Sequence, residues 1–173
     1  MTLCLERALF LVAPQDSGKS TQLRSIFVDR RFGTDGNIPT NRKLPYTHHL
    51  SNERKLYLRL TSPHESGETP KAFLNKAKAQ MRSGRWCFAC PLQPDADNKM
   101  PDVVETVRRF RNAFEPERIR ILFLSPTRHQ VELGDFVRGR DLLEELDDVE
   151  VACIDGRRRV GNGLLLADFF DFT

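Results

Sequence analysis

The sequence predicts an α/β fold in which helices cover both faces of a mostly parallel, six-stranded sheet. Three observations predict it. Residues 8–12, ALFLV, form an unbroken apolar run, as a strand buried on both faces requires. Beyond residue 69, segments with apolar residues at helical spacing alternate with short apolar strands, and such alternation builds a parallel sheet. Between these lie two strand-like segments, 44–50 and 55–60, joined only by Ser51-Asn52-Glu53-Arg54. A link that short cannot make a parallel crossover, so one hairpin strand runs antiparallel.

The chain of 173 residues is long enough for one domain, 1–173, with a sizeable core. It is 39% hydrophobic and 29% charged, an ordinary soluble composition. A net charge of +3 does not suggest nucleic acid, which needs a concentrated basic face. No apolar run approaches a bilayer span. The N-terminal run leads into a polar turn rather than a cleavage site, and lipidation motifs are absent. A cytoplasmic protein without a membrane partner is expected. Cys87 and Cys90 form a C-x-x-C, but on a strand they point to opposite faces and read as two buried thiols.

The first strand runs into the turn Ala13-Pro14-Gln15-Asp16-Ser17-Gly18. Lys19-Ser20-Thr21 then opens a helix with Leu23, Ile26 and Phe27 on one face, expected to end near Arg30-Arg31. The polar stretch 32–41 is long for an irregular loop in a compact domain, which implies a functional reason. In 55–60, Leu56, Leu58 and Leu60 alternate with Tyr57 and Arg59, the pattern of a half-buried strand. After a second polar loop, 61–68, Thr69-Pro70 supplies a cap and a first-turn proline. The helix that follows carries Phe73, Leu74, Ala77 and Met81, and Gly84 stops it. Strand 86–90 and the turn 91–95 lead to a helix with Val103, Val107, Phe110 and Phe114 on one side. Strand 119–124, a helix carrying Leu142, Leu143 and Leu146, strand 149–154 and a last helix over 164–170 complete the chain.

Strand, turn and G-K-S opening a helix make a phosphate-binding loop. Backbone N–H groups around Gly18 wrap a phosphate, and the helix N-terminus adds positive potential. Gln15, Asp16, Ser17, Gly18, Lys19, Ser20 and Thr21 are therefore the expected phosphate contacts. Lys19 supplies a mobile cation and Ser20 a hydroxyl for Mg²⁺.

This order and length resemble a Ras-like small GTPase domain over nearly the whole chain, and the resemblance implies a three-layer P-loop NTPase fold binding Mg²⁺ with GTP or ATP. The loop 32–41 falls where that family has its first switch, making Thr40, ahead of Thr34 and Thr47, the candidate ligand of Mg²⁺ and the γ-phosphate. Where the family reads D-x-x-G-Q, this chain reads Thr61-Ser62-Pro63-His64-Glu65. The resemblance makes His64 and Glu65, with Lys19, the candidates for catalysis. The guanine-reading N-K-x-D becomes Ser125-Pro126-Thr127-Arg128, and Arg128 offers only donors where an aspartate accepts. Asp155, ahead of Gly156 and Arg157-Arg158-Arg159, is the remaining candidate for a base contact. Gly161-Asn162-Gly163 resembles the family's entry to its final helix.

The resemblance thus implies a nucleotide-dependent switch or assembly subunit, with both polar loops sensed by a protein partner and hydrolysis slow without help. Two alternatives stand beside it. One is a phosphotransferase whose lid carries Arg128, Arg138 and Arg140. The other is an interaction module that has lost catalysis. Asp95 and Asp97 read as turn residues, His48 and His49 as packing or surface, and Arg108–Arg111 as a solvated face.

Overall fold

In the computed structural model, described over residues 2–40, 44–129 and 136–172, the sheet is built outward from β1, Leu3–Val12. β1 starts five residues before the apolar run because Glu6 is neutralised there. Its register against the neighbouring strand slips between Leu5 and Arg7, the local irregularity of a bulge. The buried Glu6 carboxylate meets Arg54 at 2.5 Å and also Arg85.

β1 pairs in parallel with β4, Gly84–Leu92, on one side and β5, Arg118–Leu124, on the other. β3, Arg54–Leu58, lies parallel outside β4. The three-residue β2, Thr47–His49, closes that edge as the only antiparallel pair among the described strands. β6, Val149–Ile154, forms the opposite edge. The order is β2-β3-β4-β1-β5-β6, the mostly parallel six-stranded sheet the sequence predicts. The hairpin strand β3 is not next to β1; β4 stands between them.

The helices are α1 Lys19–Arg24, α2 Pro70–Gln80, α3 Val103–Phe114, α4 Phe136–Glu144 and α5 Arg159–Asp168. On one face of the sheet Ala8, Phe10 and Val12 pack with Phe73 and Ala77 of α2, Val107 and Phe110 of α3 and Leu143 of α4. On the other, Leu9, Leu11 and Ala13 pack with Leu23 of α1 and Leu166 and Ala167 of α5. Helices therefore cover both faces. Cys87 and Cys90 belong to opposite cores, and burial pushes both thiols up to about 12. Among the described residues no helix is long and apolar enough to cross a membrane.

Helix boundaries depart from the sequence expectation in two places. The first helix does not run to Arg30-Arg31: α1 ends at Arg24 and gives way to 3-10 turns at Ser25–Val28 and Arg30–Phe32. The Ser25 hydroxyl donates to the Gln22 carbonyl at 2.5 Å, a back-bond that disturbs an α-helical ladder. Gly163 of α5 also presses on Ser25, so closely that a Cβ there would lie 2.2 Å from the Ser25 carbonyl oxygen. α5 begins at Arg159 rather than 164, because Gly161-Asn162-Gly163 lie within the helix, with Asn162 and Gly163 buried, and not in a separate entry loop. The loop after α1 is partly pinned, with the Thr34 hydroxyl donating to Phe27 O at 2.5 Å; its expected end, Asn41, lies outside the described residues.

Candidate phosphate-binding site

The loop 13–18 leaves the carboxyl end of β1, and the Ala13 N–H still reaches the Leu92 carbonyl of β4 at 3.2 Å. Asp16 and Gly18 both take positive φ, 58° and 88°, which bends the chain into a concave turn. Aspartate tolerates that region and glycine adopts it freely. The first helical bond runs from Gln22 N to Gly18 O at 2.9 Å. The N–H groups of Gly18, Lys19, Ser20 and Thr21 therefore have no acceptor within the helix.

Lys19 lies one turn before the inward-facing Leu23 and is buried with it, only 4% exposed. Its ammonium donates to the Pro14 carbonyl at 2.6 Å and meets the Glu65 carboxylate at 3.2 Å. Burial lowers the Lys19 pKa, and the charge of Glu65 opposes that shift. One predicted catalytic candidate, Glu65, is thus brought onto Lys19.

The other, His64, is engaged elsewhere. Its ring is fully buried, with Nε2 2.8 Å from the Pro101 carbonyl and Nδ1 3.2 Å from the Ser62 hydroxyl. A carbonyl only accepts, so Nε2 carries the proton and Nδ1 receives one from Ser62. Burial depresses the His64 pKa and keeps the ring neutral. His64 fixes the loop carrying Glu65, which Asn98 also holds by donating to His64 O at 2.8 Å. The loop's far end is fastened by Glu68, which accepts from Arg59 at 2.9 and 3.1 Å and from Lys76 at 2.9 Å. Burial works to raise the Glu68 pKa, but these cations hold it at about 2.

Arg128, just past β5, lies across the glycine loop. Its Nη2 donates to Asp16 O at 3.1 Å, and a Cβ on Gly18 would sit 3.0 Å from its Cδ. Asp155, past β6, is clasped by Arg157 through the backbone N at 3.0 Å, Nε at 2.8 Å and Nη2 at 2.7 Å. Those bonds hold its carboxyl at about 2. Gln22 donates to Gly156 O at 2.6 Å, and Asn162 donates to Gln22 Oε1 at 3.1 Å and Asp155 O at 2.7 Å. This buried amide pair bolts the 155–157 loop to α1. The sequence places Asn162 in the Gly161-Asn162-Gly163 motif, but nothing in it pairs Asn162 with Gln22; only long-range packing does.

Gln15 and Asp16 are exposed, Ser17 is buried, and Ser20 is half-buried at the second position of α1. Thr40 is exposed, and its carbonyl accepts from Arg24 at 3.3 Å; the structure brings it to the last residue of α1. Asp95 and Asp97 are exposed beyond β4. The Arg140 guanidinium pairs with Glu144 at 2.6 Å within α4, and the Arg138 side chain lies outside the described residues.

A polyphosphate fits this donor set. Gly18 leaves the turn without a side chain, four amides are unclaimed by the helix, and Lys19 supplies the cation. Among the described residues no three His, Cys, Asp or Glu side chains gather as a metal site. A Mg²⁺ ion carried by phosphate oxygens needs none, since it takes few protein ligands, and Ser20 is the hydroxyl at the helix start. Comparison with protein-family models, curated proteins and solved structures found no match.

Proposed function

We propose that this chain binds a nucleoside triphosphate with Mg²⁺ through residues 13–21 and hydrolyses it slowly when alone. The observation that carries the reading is Lys19, a buried ammonium at the head of α1 beside helix amides that lack intrahelical acceptors. Lys19 and the amides of Gly18, Lys19, Ser20 and Thr21 would hold phosphate oxygens, and Ser20 the metal ion. When bound, Mg²⁺ supplies the positive charge that offsets the phosphates.

Slow turnover follows from the neighbouring groups. Glu65 is an anion beside the phosphate lysine, where its charge opposes that of a triphosphate. His64 has both ring nitrogens committed to protein partners. Guanine recognition through a carboxylate is not expected, because Asp155 is held by Arg157. The loops 32–41 and 61–68 are the proposed surface for a protein partner. Calorimetric titration with ATP and GTP in magnesium, followed by single-turnover hydrolysis, tests both halves. Saturable binding with slow turnover is expected; no binding of either nucleotide would sink the reading, and rapid unassisted hydrolysis would sink its second half.

Glu65 gives a sharper expectation. Its carboxylate occupies the ammonium that a phosphate would need, so Glu65→Gln removes both a competitor and a repelling charge. Nucleotide affinity is expected to rise about tenfold, the equivalent of roughly 1.4 kcal/mol. A calorimetric titration showing weaker binding would instead make Glu65 part of the binding machinery.

One observation favours phosphoryl transfer as a second reading: the Arg128 guanidinium rests directly on the glycine loop. Arginine is suited to clamping a phosphoryl group bidentately. Nucleotide consumption that starts only when a small-molecule acceptor is added would select this reading over the first.

A further inference from the structure

Gln93 is a buried polar residue directly after Leu92, whose carbonyl accepts from Ala13 N at the start of the glycine loop. It is 8% exposed, and its Nε2 has no hydrogen-bond partner among the described residues. Leaving an amide donor buried and unpaired is costly, and such groups are rare enough to require a cause.

Its position supplies one. Gln93 is the first residue past β4, whose last residue, Leu92, pairs with Val12 and accepts from Ala13 N. Along β4, Trp86, Phe88, Cys90 and Leu92 fall in the core of α2 and α3, while Cys87 and Ala89 fall in that of α1. Gln93 follows one residue past that strand, and its side chain is buried there. Lys19 makes its contacts on both flanks of the same spot. Pro14 O lies just past β1, Glu65 lies in the loop after β3, and β4 is the strand between them. The carboxyl end of β4, where Gln93 begins, thus lies between the two strands whose following loops hold the ammonium.

We propose that the Gln93 side-chain amide is a binding residue for the phosphate chain of the nucleotide, an uncharged donor acting beside Lys19. This rests on the nucleotide-binding reading above. An amide N–H donates to a phosphate oxygen without adding charge, whereas a carboxylate at that place would repel the oxygens and require a metal ion between. The missing acceptor is then supplied by the ligand, and the free protein carries the cost of the unpaired donor.

The test uses Gln93→Met, which keeps the length of the side chain and removes the donor. Melting temperature of the free protein is measured with and without ligand, and ATP, GTP and inorganic tripolyphosphate are titrated calorimetrically. The free variant is expected to melt about 3 °C higher than wild type, because an unmet donor is gone. Affinity for all three ligands is expected to fall about tenfold or more, as for loss of a hydrogen bond to a charged group. A lower melting temperature would overturn the proposal by showing the amide to be structurally bonded. Unchanged affinity would overturn it while leaving the nucleotide-binding reading intact. A loss confined to ATP and GTP would overturn it too, moving the contact to base or ribose. Wild-type protein that bound none of the three would overturn both readings together.

Discussion

Lys19→Ala is expected to lower nucleotide affinity at least about a hundredfold, since a charge-assisted contact to phosphate contributes roughly 1.5–3 kcal/mol and more when desolvated. The fold is expected to survive. Lys19 is buried, but its partners are a carbonyl at the loop and a carboxylate whose side chain is 24% exposed, so Glu65 recovers hydration when the ammonium goes. Removing a desolvated cation also removes its own burial cost, and the melting temperature of the free protein should move by only a few degrees. Wild-type binding by the variant, measured by calorimetry, would mean that the buried ammonium has a structural purpose only. Paired with Glu65→Gln, which should bind more tightly, the two variants move affinity in opposite directions from one ion pair.

Gly163→Ala is expected to be the most damaging glycine-to-alanine substitution among the described residues. The added Cβ would meet the Ser25 carbonyl oxygen at 2.2 Å, its carbon at 2.7 Å and its hydroxyl at 2.9 Å. The nearest obstacles are backbone atoms, which cannot swing aside as a side chain would, so α5 must lift from the 3-10 turn. Overpacking of this kind costs about 3 kcal/mol at its upper range, or about 10 °C in melting temperature for a chain of this size. Gly161→Ala is the control. It stands in the same helix with open space around its Cβ position, and there alanine should stabilise by about 0.5–1 kcal/mol through helix propensity. Equal melting temperatures for the two variants would show that the contact with Ser25 relaxes easily. Because Asn162 and Gln22 link the same helices to the 155–157 loop, the Gly163 variant should also loosen that loop.

Local physics made much of this legible from sequence. The apolar run of β1, the Thr69-Pro70 cap of α2 and the stripe of α3 each state their conformation within a dozen residues. In the structure the Thr69 hydroxyl accepts from Ala72 N at 3.2 Å, and Val103, Val107 and Phe110 are buried. Motif position makes Glu65 a candidate for catalysis, while its ion pair with Lys19 is seen only in the structure. What stayed hidden depends on pairing between distant segments. Spacing places Thr61–Glu65 after a strand, but it does not say which strand neighbours β1. That strand is β4, and the residue past its end, Gln93, reads from sequence only as part of the turn 91–95. Leu23, Ile26 and Phe27 fit one continuous helix equally well, and only the later arrival of Gly163 against Ser25 explains why the turns tighten. The tie of His64 to Pro101 joins segments that no local pattern connects, so motif position alone leaves the ring free for catalysis.

The position of β1 also sets the tempo of folding. Leu3 pairs with Gly84 and Arg7 with Arg118, so the centre of the sheet has no partner from its own neighbourhood. At about 5–20 residues per second of synthesis, the segment LCLERALFLV waits several seconds before β4 emerges and longer before β5. Distant pairings of this kind slow the search for the native state, and an unpaired, largely apolar strand is adhesive meanwhile. The nascent chain should therefore depend on a holding chaperone most strongly until residue 92 has left the ribosome, and dependence should ease once β5 has followed.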